Sequence, residues 1–216
     1  MTPFQEMILL NRKGSLIVLS GPSGSGKGTV LGEFFEKYAD ENVFLSISAT
    51  TRNPRPSDID GVTYYFKTVD EFKNMIKNNE LLEYASFCDN YYGTPKKAVE
   101  DKLNSGVDVI LEIEIQGALK VMETTKDAVF VFICPPSVEE LEKRLVGRNT
   151  ETLDVIKKRI DTAKWELTNI EKYDYLIVNE TVDDAASKLK EIIDAQRQSV
   201  KNNKEFIKTI LNEVEL

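Results

Sequence analysis

The chain has 216 residues, 41% of them hydrophobic and 30% charged, which fits one sizeable globular core with or without inserted lobes. Its formal net charge of -8 argues against general nucleic-acid or membrane-surface binding, which needs a basic field, yet leaves room for a local pocket of arginines around a small anion. Histidine is absent, removing histidine bases, phosphohistidine intermediates and histidine metal sites together; Cys88 and Cys134 lack metal-ligand spacing and read as two buried thiols in a reducing compartment.

The N-terminal "MTPFQEMILLNRKGS" holds an apolar patch too short for a secretory leader, and no later stretch approaches a membrane span, so the expected location is the cytoplasm. The first expected strand, Leu16–Leu19, runs into "GPSGSGKGT". Gly21, Gly26 and Lys27 fit the G-x-x-x-x-G-K of a phosphate-binding loop. Glycines let backbone N–H groups turn inward, the helix that follows adds partial positive charge, and Lys27 supplies a full charge to the β- and γ-phosphates. The loop residues Gly21, Pro22, Ser23, Gly24, Ser25, Gly26, Lys27, Gly28 and Thr29 are thus the expected triphosphate site. Position 28 is glycine where the pattern asks for Ser or Thr, and the hydroxyl arrives one residue late, at Thr29. Either Thr29 takes the Mg²⁺ ligand role, or the ion keeps more of its waters, which it gives up reluctantly. "GKGT" resembles the loops of adenylate-kinase-type enzymes, which implies a nucleotide kinase more than a GTPase or motor.

Helix Lys27–Tyr38 follows, with Val30, Leu31, Phe34 and Phe35 spaced for one face, and then strand Val43–Ile47. Ser48–Tyr92 breaks the rhythm with turn signals and short aromatic runs, and reads as an inserted lobe with its own small antiparallel sheet. Within it, Arg52 and Arg55 flank a rigid bend across a proline, an arrangement suited to gripping a phosphate bidentately. Alone, they fit a solvated basic turn equally well. Tyr64 follows a turn at Asp60–Gly61.

Strand Val107–Ile113 runs into "LEIEIQG", which puts Glu112 and Glu114 at the C-terminal end of a parallel strand, where open α/β sheets bind ligands. One carboxylate can approach magnesium or its waters and the other can accept from a sugar or base; two solvated acids are the plainer alternative. Strand Val129–Cys134 precedes "CPPS" and helix Val138–Leu145, where Ser137 can cap and Glu140 sits three residues on. The stretch Arg144–Arg159 carries Arg144, Arg148 and Arg159, and helix Thr152–Thr168 places Leu153, Ile156, Ile160 and Ala163 at helical spacing. Strand Tyr175–Val178 and helices Asp183–Gln196 and Lys204–Leu211 complete the set, and the alternation means α/β with a mainly parallel sheet. In the tail, Phe206, Ile207, Ile210 and Leu211 form an apolar stripe expected to pack on the core rather than on a second subunit.

"SISATTRNPRPSDIDGVTYYF", "LLEYASFCDNYYGTP", "VILEIEIQG", "FICPPSVEELEKRLVGRNTET" and "IVNE" occur in the order and spacing of guanylate kinases, and from about Ser15 to Gln196 the chain resembles that family. The resemblance implies a P-loop three-layer α/β fold with a mainly parallel five-stranded sheet. It implies a core at about 1–47, 96–137 and 165–198, an inserted small mixed α/β GMP-binding lobe at about 48–95, a helical lid at about 138–164 and a helical extension at about 199–216. The implied activity is ATP-dependent, in-line phosphorylation of GMP and dGMP in purine nucleotide metabolism, with Mg²⁺ as cofactor. ATP and GMP are the implied partners, without nucleic acid or membrane, in a monomer or homodimer.

Carried over by position, Ser48, Arg52, Arg55, Tyr64, Glu83, Tyr92, Thr94 and Glu114 would line the GMP pocket, with Glu112 beside them and toward the metal together with Thr29. Arg52, Arg55, Tyr64 and Tyr92 would hold the GMP phosphate, and Glu83, Ser48 and Thr94 would read the base. Lys27 and the loop would hold ATP, Arg144, Arg148 and Arg159 would close over its phosphates, and Asn179 would lie near the adenine. The expected catalytic set is Lys27, Arg52, Arg144, Arg148 and Arg159. Base chemistry agrees: guanine presents N1–H and N2–H₂ side by side for one carboxylate, and its O6 takes hydroxyl donors. Adenine would leave such a site unpaired, which can reject it by about 10⁴-fold or more. Two positions depart from the family pattern: Glu114 stands where Asp is frequent, and Asn149 where Gly is common. A kinase for AMP or dTMP, and a peptide-binding scaffold domain of the same fold, are the rival readings.

Overall fold

Strands covered on both faces read as continuous apolar runs, and the five such runs in this chain form one sheet. A computed structural model describes residues 12–87, 89–146 and 153–214. Its elements in chain order are β1 (Leu16–Ser20), α1 (Lys27–Lys37), β2 (Val43–Leu45), β3 (Ala49–Thr50), β4 (Tyr65–Phe66), α2 (Val69–Lys77), β5 (Leu81–Phe87), β6 (Asn90–Pro95) and α3 (Lys96–Asn104). There follow β7 (Asp108–Glu112), α4 (Ile115–Thr124), β8 (Val129–Cys134), α5 (Val138–Val146), α6 (Leu153–Leu167), β9 (Tyr175–Val178), α7 (Val182–Arg197) and α8 (Lys204–Glu213).

The main sheet has the order β2-β7-β1-β8-β9, and every neighbouring pair is parallel. Alternate residues of each strand point to opposite faces. Ile17, Leu19, Ile110, Val131 and Ile133 pack against Val30, Leu31 and Phe34 of α1 and Ala185, Leu189 and Ile193 of α7. Leu16, Val18, Val109, Leu111 and Phe130 face the other way, onto Val99 and Leu103 of α3 and Ala118 and Val121 of α4. The result is the expected three-layer α/β arrangement.

Residues 49–95 build a second sheet, β4-β3-β6-β5. Its β3–β6 and β5–β6 pairs are antiparallel, but β3 and β4 run parallel, so the sheet is mixed rather than antiparallel. The cause is the excursion through "NPRPSDIDG" between β3 and β4, which brings the chain back in the same direction, as only a crossover and not a hairpin can. Three helices, α2, α3 and α4, were not expected from the sequence. For α2 a signal was present: Thr68 Oγ1 accepts from the Glu71 N–H, and Glu71 Oε2 accepts from the Thr68 N–H at 2.7 Å, a reciprocal capping box. Ser137 does cap α5, accepting from the Glu140 N–H at 3.0 Å.

A buried charge network closes the end of the sheet opposite the C-terminal strand ends. Asp108, fully buried at the start of β7, receives both guanidinium nitrogens of Arg12 at 2.8 Å, the Ser15 N–H at 2.8 Å and Arg197 Nε at 2.7 Å. Arg197 also grips Asp40 at 2.7 and 2.9 Å. The apolar stripe of α8 packs only in part: Phe206 and Ile207 are half-buried, whereas Ile210 and Leu211 are 45% and 53% exposed. The turn before this helix is attached by polar contacts instead, from Asn202 to Ser15 and Asn203 to the Arg197 carbonyl. Cys134 is a buried free thiol, and Cys88 lies outside the described residues. Among the described residues no helix is long and apolar enough to cross a membrane.

Candidate active site

The glycine-rich loop leaves β1 and turns into α1 beneath the C-terminal ends of the strands. A Cβ at Gly21 would stand 2.0 Å from the Ile133 carbonyl oxygen, so only glycine lets the loop hug β8. Gly24 and Gly26 both have φ +88°, and Gly26 caps α1 in the left-handed region. Lys27 Nζ folds back on the loop, donating to the Gly21 and Pro22 carbonyls. Leu141 and Leu145 of α5 support Gly24 from the side. Asn179, expected beside adenine, is buried against the loop and donates from Nδ2 to the Ser25 carbonyl at 2.8 Å. Arg144 pairs with Glu140 at 2.9 Å and reaches the Asn179 carbonyl at 3.3 Å. Gly28 and Thr29 are exposed on the first turn of α1. A Cβ at position 28 would stand 3.7 Å from Glu112 Oε1, so it is residue 28 that faces this carboxylate.

One cleft of about 420 Å³ collects most of the anticipated residues: Lys27, Ser48, Arg52, Arg55, Tyr64, Glu83, Tyr92, Glu112 and Glu114 all line it. A hollow of about 340 Å³ continues it past Ser48, Tyr64 and Glu112. The two sheets therefore bring the loop lysine and the residues of "TTRNPRP" and "LLEYASF" to one space.

Glu83 is the most buried acid of this cleft, at 6% exposure. Between Leu81 and Tyr84 the β5–β6 register slips, setting three steps on β5 against two from Pro95 to Gly93 on β6. Such a bulge re-aims a side chain, and here it lies at Glu83 with Thr94 opposite. The Thr94 hydroxyl donates to Glu83 Oε1 at 2.8 Å. Burial pushes the Glu83 carboxyl above the usual range, against the pull of Thr94 and of Lys120.

Arg52 donates to Asp58 Oδ2 at 2.8 Å and lies over the Tyr64 ring, 5.3 Å from its centroid. Tyr64 in turn meets Tyr92 edge-on at 6.2 Å between centroids. Asp58 also accepts from the Arg55 N–H at 2.7 Å, and that bond, then Arg52, hold its carboxyl below the ordinary value. It thereby fixes the bend that presents both arginines. Sequence reasoning missed Asp58, although it lies within the quoted "PRPSDIDG"; nothing in one sequence tells a pinning acid from a solvated one.

Helix α6 faces the cleft through Thr162 and Glu166, and Arg159 shares that face at helical spacing. Arg148, like Asn149, lies outside the described residues. Glu166 was also missed. It is 7% exposed and accepts from the Ser23 N–H of the loop at 3.4 Å. Burial, and then the charge of Glu114, push its carboxyl up to about 7, against Lys27 and the Ser23 bond. Burial likewise raises Glu112, opposed by Lys27 and reinforced by Glu114.

The lining holds three cations, Lys27, Arg52 and Arg55, against five carboxyl groups, Asp58, Glu83, Glu112, Glu114 and Glu166. This lining is short of positive charge for two phosphorylated anions, which fits a divalent cation arriving with them. Among the described residues no group of three or more His, Cys, Asp or Glu side chains is placed to hold a metal. The donor set thus fits an ion held by phosphate oxygens and water, with Glu112 alongside, in the manner of Mg²⁺.

A family model described as "Guanylate kinase" matches residues 13–196. The guanylate kinase of Lactococcus lactis subsp. lactis is 50% identical over 191 residues, 88% of this chain and 92% of that protein. That of Clostridium perfringens (strain SM101) is 49% identical over 195 residues, 90% of this chain and 89% of the relative. The crystal structure of guanylate kinase from Anaplasma phagocytophilum superposes with a TM-score of 0.73 at 35% identity, covering 89% of this chain and 91% of that one. With the loop, the paired arginines and the buried acid gathered in one cleft, these matches over most of the sequence lead to one conclusion: the chain belongs to the guanylate kinase family.

Proposed function

We propose that the chain transfers the γ-phosphoryl group of ATP in line to the phosphate of GMP or dGMP, giving ADP and the nucleoside diphosphate. Family membership carries the coarse part of this reading, an enzyme that phosphorylates GMP at the expense of ATP. The observation that supports the finer part is the cleft that Lys27, Arg52, Arg55 and Glu83 line together.

The attacking atom is an oxygen of the GMP phosphate, already ionised, so no strong general base is needed. The work is then positioning and neutralising charge on the transferring group. Arg52, Arg55, Tyr64 and Tyr92 hold the acceptor phosphate. Glu83 accepts guanine N1–H and N2–H₂ and Ser48 offers its hydroxyl to O6, while Thr94, whose one hydroxyl proton goes to Glu83, acts on the base through that acid. Lys27 and backbone N–H groups of the glycine-rich loop hold the ATP phosphates, with Asn179 toward the adenine side. Mg²⁺, when bound, would neutralise phosphate charge, and Glu112 and Thr29 are the residues that would hold it, through water and phosphate. Arg144, Arg148 and Arg159 come from a lid at about 138–164, which closes with a GMP lobe at about 48–95 over a core at about 1–47, 96–137 and 165–198, with 199–216 as a C-terminal extension. Closure excludes water, without which ATP would be hydrolysed. The reading extends to a monomer or homodimer acting in the cytoplasm, without nucleic-acid or membrane partners.

The test is ADP formation from MgATP with GMP, dGMP, AMP, UMP, CMP and dTMP supplied separately, in the parent and in Glu83→Gln. Turnover should be confined to GMP and dGMP and collapse in the variant, with ATP binding intact. Preference for AMP or dTMP, or an equal loss of ATP binding in the variant, would sink the base assignment.

A further inference from the structure

Helix α4 begins at the cleft and contains a glycine in its first turn, Gly117, where helix propensity favours almost any other residue. Its φ is not left-handed, so the backbone does not ask for glycine. Space does. A Cβ at 117 would stand 2.6 Å from Glu83 Oε2 and 3.2 Å from its Cδ, closer than a side chain tolerates. Three residues on, the helix is linked to the same strand. Lys120 Nζ donates to the Tyr84 carbonyl and lies over the Tyr84 ring, 4.7 Å from its centroid. On its other side Glu83 is held by Thr94, which donates to Oε1 at 2.8 Å, so a Cβ at 117 would push the carboxylate out of register with that bond. Its Oε2 therefore occupies a slot whose depth is set by the missing side chain at 117, beside the positive end of α4.

We propose that Gly117, with Lys120 as its tether, is a positioning residue that fixes the depth of the Glu83 carboxylate and thereby the preference for a purine carrying a 2-amino group. The proposal rests on the reading of Glu83 as the base acceptor. One carboxylate serves N1–H and N2–H₂ together only if both oxygens lie in the base plane at the right depth. A displacement of the acid weakens the second bond first. The substrate that isolates that bond is the monophosphate with hydrogen in place of the 2-amino group, IMP.

The experiment compares kcat/KM for GMP and IMP in the parent, Gly117→Ala, Glu83→Gln and the double variant Gly117→Ala/Glu83→Asp. Gly117→Ala should raise the KM for GMP and lower the GMP-over-IMP ratio by about 10- to 100-fold, the scale of a displacement near 1 Å, with the KM for ATP unchanged. The shorter acid of the double variant should recover part of the ratio, a rescue that a merely structural role would not give. A parental ratio in Gly117→Ala, beside a collapsed ratio in Glu83→Gln, overturns the inference and leaves the base reading standing. A parental ratio in Glu83→Gln overturns both. Should Gly117→Ala not fold, Lys120→Met decides: it loosens the helix without a clash and should lower the ratio, and an unchanged ratio refutes the proposal.

Discussion

Replacing Glu166 with glutamine keeps the shape and a hydrogen-bond acceptor for Ser23 but removes the ionisable group. In the folded protein this carboxyl titrates at about 7, against an ordinary value of 4.5 taken for the unfolded chain. Between these values the folded state retains a proton that the unfolded state has lost. The stabilising contribution is complete below 4.5 and is lost as the pH rises through 7. The interval of 2.5 pH units, at about 1.4 kcal/mol each, amounts to about 3 kcal/mol withheld from the parent at alkaline pH. Glu166→Gln should therefore be more stable than the parent by up to about 3 kcal/mol near pH 8, with the gap closing toward about pH 5. Urea unfolding of both proteins across that range measures it. A gap that does not change with pH, or that widens as the pH falls, refutes the argument that a buried, crowded carboxyl is ionised here at a cost.

Two further outcomes follow from the same geometry. Asp108→Ala leaves Arg12 buried without its counter-charge and frees Arg197 from β7, so unfolding free energy should drop by about 3–5 kcal/mol, read by urea titration. A loss below about 1 kcal/mol would mean that the network is replaceable by water. Asp58→Ala releases both Arg52 and the Arg55 turn, so the KM for GMP should rise by about 10-fold while that for ATP stays put; equal changes in both would deny Asp58 its place as the pin of the phosphate grip.

Much of this was legible in the sequence, for local reasons. The inner strands β1, β7 and β8 declare themselves as apolar runs because both faces are covered, the edge strands β2 and β9 are apolar though partly exposed, and the loop is legible because glycine spacing and Lys27 report on backbone shape within ten residues. Arg52, Arg55, Glu83 and Tyr92 came from motif resemblance, and the fold brings them to one cleft. What escaped depends on distance through space. Glu166 meets the Ser23 amide across 143 residues, and Gly117 meets Glu83 across the join of two sheets. Helix α2 lies in a lobe otherwise dominated by turn signals, and α4 carries Gly117, of low helix propensity, in its first turn. The parallel β3–β4 pair was hidden because two-residue strands carry no alternation to read.

The strand β7 is polarised in a way that matters to anyone wishing to engineer this enzyme. Its first residue, Asp108, is saturated with guanidinium and amide donors, whereas its last, Glu112, stands in a crowd of acids with Glu114 and Glu166 beyond it. Four residue steps, about 13 Å of extended chain, separate the two ends. Heat tolerance and turnover are thus separable traits along one strand. On the proposed function, substitutions that harden the Asp108 end should raise stability with kcat unchanged, whereas relieving the acids at the other end should raise stability at alkaline pH with a change in turnover.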